Sequence, residues 1–158
     1  MVFASTIIMK TRLVYVELKS GYADDGSAWI SVAAFSKSGA TIYSNGQAFK
    51  SLKGSGVGAN CYDLETGDEY WISGIKKDGQ DRHKNDTGVV RIDQEAIPDY
   101  LAETALSKLP GNLVEAKLNP SARTAKHHKI EHLKLGESTR RRDFVRTPSR
   151  NSIVKSKH

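Results

Sequence analysis

Residues 41–52, TIYSNGQAFKSL, place Asn45-Gly46 between two short runs that suit β-strands. A two-residue hairpin turn needs positive φ at both central positions, and Asn-Gly tolerates this better than any other common pair. The stretch therefore predicts paired strands over 41–43 and 47–52. Working outward, residues 13–18 (LVYVEL) and 29–35 (WISVAAF) are rich in β-branched and aromatic residues and also read as strands. Residues 61–64 and 69–75 flank a further turn, Glu65-Thr66-Gly67-Asp68, and residues 89–92 (VVRI) close the set. Short strands punctuated by Gly turns predict a small antiparallel β-sheet or partly open barrel.

The period changes after residue 92. Asp93 is a fitting N-cap, and Gln94 and Glu95 suit a first helical turn. Ile97, Tyr100, Leu101, Ala105 and Leu106 then recur at helical spacing, with Pro98 at the first helical position and Pro110-Gly111 as the stop. This helix is expected to cover the sheet, giving an α+β domain over 13–109. Residues 1–12 read as an N-terminal extension, and residues 110–158 as a basic, partly helical or disordered one. Within the latter, Ser121 is a candidate cap for a second helix over 122–135, stopped by Gly136. The stretch from Glu137 onward is Arg-rich and poor in apolar residues, which predicts disorder. On this reading a fragment of residues 9–110 folds without the tail.

Charge divides in the same place. Residues 1–106 hold 11 Lys and Arg against 14 Asp and Glu, a net of −3. Residues 107–158 hold 13 against 4, a net of +9. A basic extension on a mildly acidic domain points to an anionic partner, nucleic acid or another polyanion, with Arg140, Arg141 and Arg142 at its densest point. Cys61 is the sole cysteine, so no intrachain disulfide exists, which fits a reducing, cytoplasmic compartment. It reads as a small buried thiol. No apolar run reaches the roughly 20 residues of a membrane span, so no membrane partner is expected. MVFASTIIMK makes a poor signal peptide.

Several short patterns suggest chemistry and then lose it. His128-Lys129-Ile130-Glu131-His132 matches a zinc-protease spacing, but too few apolar residues surround it to build a dry pocket. Gly54 to Ala59 fits a relaxed dinucleotide fingerprint, yet a strand follows where a helix N-terminus is needed. Asp24, Asp25, Asp78 and Asp86 lack the spacing of a calcium loop. No cofactor or metal is expected. The long polar loop over 76–88 keeps the densest cluster of polar groups in the domain: Lys76, Lys77, Asp81, Arg82 and His83 are its candidate binding residues. The competing reading is that Asp81 and Arg82 pair merely to order the loop.

A longer pattern spans much of the domain. Tyr15-Val16-Glu17-Leu18-Lys19-Ser20-Gly21-Tyr22 is followed by Ala28-Trp29-Ile30 and then by DLETGDEYWISGIKKDGQDRH over 63–83. Over about residues 13–101 the chain resembles a family of short, uncharacterised bacterial proteins, some of which carry the name 1-deoxy-D-xylulose-5-phosphate synthase. The resemblance implies no established activity. The thiamine diphosphate and magnesium motif that such a synthase needs is not found in this sequence.

The expected function is a non-enzymatic binding or accessory module with a polyanion-binding basic tail. The alternatives are a small enzyme using Asp81, Arg82 and His83, or a protein–protein adaptor using the exposed face near Trp71.

Overall fold

The computed structural model describes residues 10–21, 26–53, 58–81 and 88–133. Six strands run up and down in chain order: β1 (Lys10–Leu18), β2 (Ala28–Phe35), β3 (Thr41–Ser44), β4 (Gln47–Ser51), β5 (Cys61–Asp63) and β6 (Glu69–Ser73). Each pairs antiparallel with the next, and β6 returns to pair with β1, so the six close into a barrel. The register runs from Lys10 opposite Phe35 to Glu17 opposite Ala28 between β1 and β2. Tyr15 lies opposite Ser73 where β1 meets β6. The hairpin reading at Asn45-Gly46 holds in detail, with φ of 52° and 76°.

Two further strands, β7 (Val90–Asp93) and β8 (Leu113–Ala116), extend the sheet from β2. Both additions are parallel, unlike the wholly antiparallel arrangement expected from sequence. The cause is the crossover between them. A short 3-10 turn (Gln94–Ala96) and the helix α1 (Ile97–Thr104) carry the chain back, so that β8 starts beside the start of β7. Asp93 caps the turn as expected, accepting from the Glu95 amide. The helix ends earlier than Pro110: Ala105 turns left-handed at φ 61° and terminates it.

β1 and β2 are buried on both faces, which explains their nearly continuous apolar sequences. Leu13, Tyr15, Ala28 and Ile30 face outward and pack with Val90, Ile92, Tyr100 and Leu113, the layer shared with α1. Val14, Val16, Trp29 and Ala33 face the barrel interior with Phe49, Cys61, Tyr70 and Ile72. Along one edge β2 has two neighbours, β7 at Trp29 and Ile30 and β3 at Ala34 and Phe35. Buried hydroxyls bridge that fork. Trp29 Nε1 donates to Ser44 Oγ at 2.9 Å, and Ser31 Oγ lies 2.7 Å from the same atom.

The boundary at 109/110 expected from sequence divides this fold. β8 lies beyond it, Leu113 belongs to the outer core, and Leu118 packs against the barrel core. The Asn119 amide donates to Asn45 Oδ1, and the Gly46 amide donates to the Pro120 carbonyl. The first compact unit runs to Arg123. Ser121 caps no helix; its hydroxyl accepts from the Asn45 amide. In the second unit residues 125–133 are helical, and Thr124 is the cap, exchanging hydrogen bonds with His127. The stretch from Glu137 lies outside the described residues. No helix among the described residues is long and apolar enough to cross a membrane.

Candidate anion-binding site

Strand direction sorts charge along the barrel. One end gathers the start of β1, the β2–β3 turn and the exit of β4, and with them Lys10, Arg12, Lys37, Lys50 and Lys53. Lys76 and Lys77 follow β6 as it leaves toward that same end. The other end carries Glu17, Asp63, Glu65, Asp68 and Glu69. There Glu17 is satisfied locally, accepting from Tyr15 Oη at 2.6 Å and Lys19 Nζ at 2.8 Å. Asp63 accepts from Gln47 Nε2 and from the amides of Glu65 and Thr66, holding its own turn. Glu17 and Asp63 are thus held by local structure.

At the basic end a groove of about 280 Å³ lies between Lys10, Thr11, Arg12 and Phe35 on the strands and the turn 36–39. Its construction follows from register. Residues two apart on a strand share a face, so Lys10 and Arg12 point the same way. Lys10 lies opposite Phe35, and the Arg12 guanidinium sits over the Phe35 ring, 5.1 Å from its centroid. The turn brings Lys37 alongside. Gly39 permits the turn with φ of 80°, and its amide donates to the Ser36 carbonyl at 2.8 Å. Ser36 Oγ accepts from the Thr41 amide and Ser38 Oγ from the Ala40 amide. Both hydroxyls thus keep a proton to donate. Among the described residues Lys10, Arg12 and Lys37 have no carboxylate partner. Three exposed cations, two hydroxyl donors and a cation-capped ring line the groove, the donor types that a phosphate-like anion would require.

Of the residues singled out from sequence, Lys76 and Lys77 are exposed beyond β6. Asp81 folds back, its Oδ1 accepting from the Lys76 amide at 2.6 Å. Arg82 and His83 lie outside the described residues, as do Arg140, Arg141 and Arg142. Asp81 therefore orders the start of its loop through the Lys76 amide, while its expected pairing with Arg82 lies outside the described residues. Among the described residues no group of His, Cys, Asp and Glu could hold a metal. His128 and His132 are exposed. Cys61 is buried, and burial pushes its thiol up to about 11, which suits packing rather than nucleophilic attack. Tyr70 turns inward and Trp71 outward, at 38% exposure.

The groove escaped the sequence reading because its residues are far apart in the chain. Lys10-Thr11-Arg12 looks like an ordinary start, and Ser36-Lys37-Ser38-Gly39 like an ordinary turn. The usable signal was the pair of cations at alternate positions leading into a strand.

The base of the loop after β6 carries a different feature. Asp81 Oδ2 and Tyr100 Oη are buried without hydrogen-bond partners among the described residues. Burial, followed by the charges of Asp81 and Asp78, pushes the Tyr100 phenol up to about 12. Burial likewise raises Asp81, against the lowering by the Lys76 amide and ammonium, while Asp78 adds to the rise. A raised folded-state value means stability present at low pH and lost as pH climbs through that value. Tyr100→Phe should therefore raise stability at neutral pH by about 1–2 kcal/mol, by removing the orphaned hydroxyl. It should also abolish the loss of stability between pH 10 and about 12 that the phenol contributes. Asp81→Asn should gain stability at neutral pH and lose it relative to wild type under acid. Urea titrations across pH check both, and a Tyr100→Phe protein less stable than wild type at neutral pH would show that the hydroxyl is partnered.

No family model, curated protein or solved structure matches this chain.

Proposed function

We propose that the chain is a non-catalytic binding module for phosphate-bearing polyanions, engaged at the basic end of the barrel. The observation that carries this reading is the groove itself: Lys10, Arg12 and Lys37 converge on a concavity with no carboxylate partner among the described residues. Cations left unpaired by the fold attract external anions, and a concave site focuses that attraction. The +9 of residues 107–158 adds long-range attraction without defining a site. Trp71 supports a second reading, a protein-docking surface, since its indole is large, apolar and 38% exposed.

The test is a titration of a labelled oligonucleotide at several salt concentrations. Affinity should fall steeply with salt. Replacing Lys10, Arg12 and Lys37 together by Glu should weaken binding at least about tenfold. It should also reduce the salt slope by about 1–2, as expected for two or three lost phosphate contacts to a single strand. The reduction should appear both in the full chain and in a chain ending at Arg123. If the triple variant binds like wild type while the shorter chain loses all affinity, binding resides in the basic extension and the groove reading is wrong.

A further inference from the structure

The same groove has features that a general phosphate receptor does not require. We infer that it takes single-stranded nucleic acid, with one base stacked on the Arg12 guanidinium and adjacent phosphates held by Lys10 and Lys37; this rests on the polyanion reading above. Three observations favour a single strand. First, the Arg12 guanidinium lies over the half-buried Phe35 ring, while Arg12 itself is exposed. The ring lies to one side of it, and the residue is otherwise exposed. A planar cation braced in this way offers a flat platform, on which an unpaired base stacks and a base inside a duplex cannot. Second, the volume of about 280 Å³ suits one nucleotide, whereas a duplex presents a broad convex backbone that rests on rims. Third, the strand that carries Lys10 and Arg12 has a free edge beside the groove. β1 pairs with β2 along its length but meets β6 first at Tyr15, so residues 10–14 have a strand partner on one side only among the described strands. An extended chain can follow that edge, and Lys10 and Arg12 punctuate it.

The hydroxyls complete the chemistry. Ser36 and Ser38 are fixed by the amides they accept from, so their remaining protons are free for a phosphate oxygen beside Lys37. Arginine is required at position 12 on this account, because lysine keeps the charge and loses the plane.

The experiment measures binding of the full chain to three labelled probes by fluorescence anisotropy. The probes are oligothymidylate of about 12 nucleotides, an abasic strand of equal length and charge, and the duplex of the first with its complement. The oligothymidylate should bind at least about fivefold tighter than the abasic strand, the lower bound for one stacked base, and tighter than the duplex. Arg12→Lys should erase that gap by weakening oligothymidylate binding at least about fivefold. Phe35→Leu should do the same; because Phe35 borders the core, its melting curve is recorded alongside, and Arg12→Lys decides if it unfolds. Equal binding of the normal and abasic strands overturns the inference, as does a gap that survives Arg12→Lys. In both cases salt-sensitive binding of the abasic strand leaves the polyanion reading standing. Failure of all three probes to bind overturns both.

Discussion

A chain ending at Leu109 is expected not to fold cooperatively, whereas one ending at Arg123 melts within a few degrees of the full chain. The shorter cut removes β8, and with it the ladder that pairs Val90 through Asp93 with Leu113 through Ala116. It exposes Val90 and Ile92, both wholly buried, along what becomes a new sheet edge. Burial of Leu113 is worth about 1.5–3 kcal/mol, and Leu118 adds contacts to the barrel core. The hydrogen bonds that tie Asn119 and Pro120 to the Asn45-Gly46 turn are lost as well. Together these rival the whole stability of about 5–15 kcal/mol typical of a domain. Thermal melts followed by circular dichroism distinguish the two ends. A cooperative transition for the Leu109 truncation, close to that of the full chain, would show that β8 contributes little.

Phe49→Ala is expected to destabilise the protein by about 3–5 kcal/mol, the range for deleting a fully buried aromatic ring. Phe49 is inaccessible to solvent, and its ring meets Tyr70 edge-on at 4.9 Å. Tyr70 in turn meets Trp29 at 6.0 Å. These rings fill the barrel, and a small barrel has little means of collapsing around a void because its closed ladder fixes the diameter. Urea unfolding of the variant measures the loss. A change below about 1 kcal/mol would mean that the barrel relaxes around the cavity, contrary to the cost of an unfilled core site. Such a result would shift the weight of stability to the outer layer under α1.

The first six strands and the hairpin were legible because their signals are local. Asn45-Gly46 needs no distant partner to favour its turn, and Asp93 caps its own helical turn through Glu95. The runs at 13–18 and 29–35 also foretold strands, and their unbroken apolarity records burial on both faces. β8 was not legible. Leu113-Val114-Glu115-Ala116 is short, follows Pro110-Gly111 and carries no alternation that marks a strand; it is extended because β7 offers it a ladder. Propensity is a weak constraint on so short a segment, and the neighbouring strand decides it.

Lys76 and Lys77, which open the polar stretch 76–88 read from sequence, lie toward the basic end of the barrel. What the sequence determined by itself was therefore the set of local elements: turns, caps, the apolar faces of strands and the excess of positive charge in the C-terminal third. What only the tertiary structure decided was adjacency. Closure of β6 onto β1 and the register of Lys10 against Phe35 bring Arg12 over the Phe35 ring and Lys37 beside it. The physical reason is that charge and stacking act through distance in space, and ladder pairing sets that distance between residues the chain keeps apart.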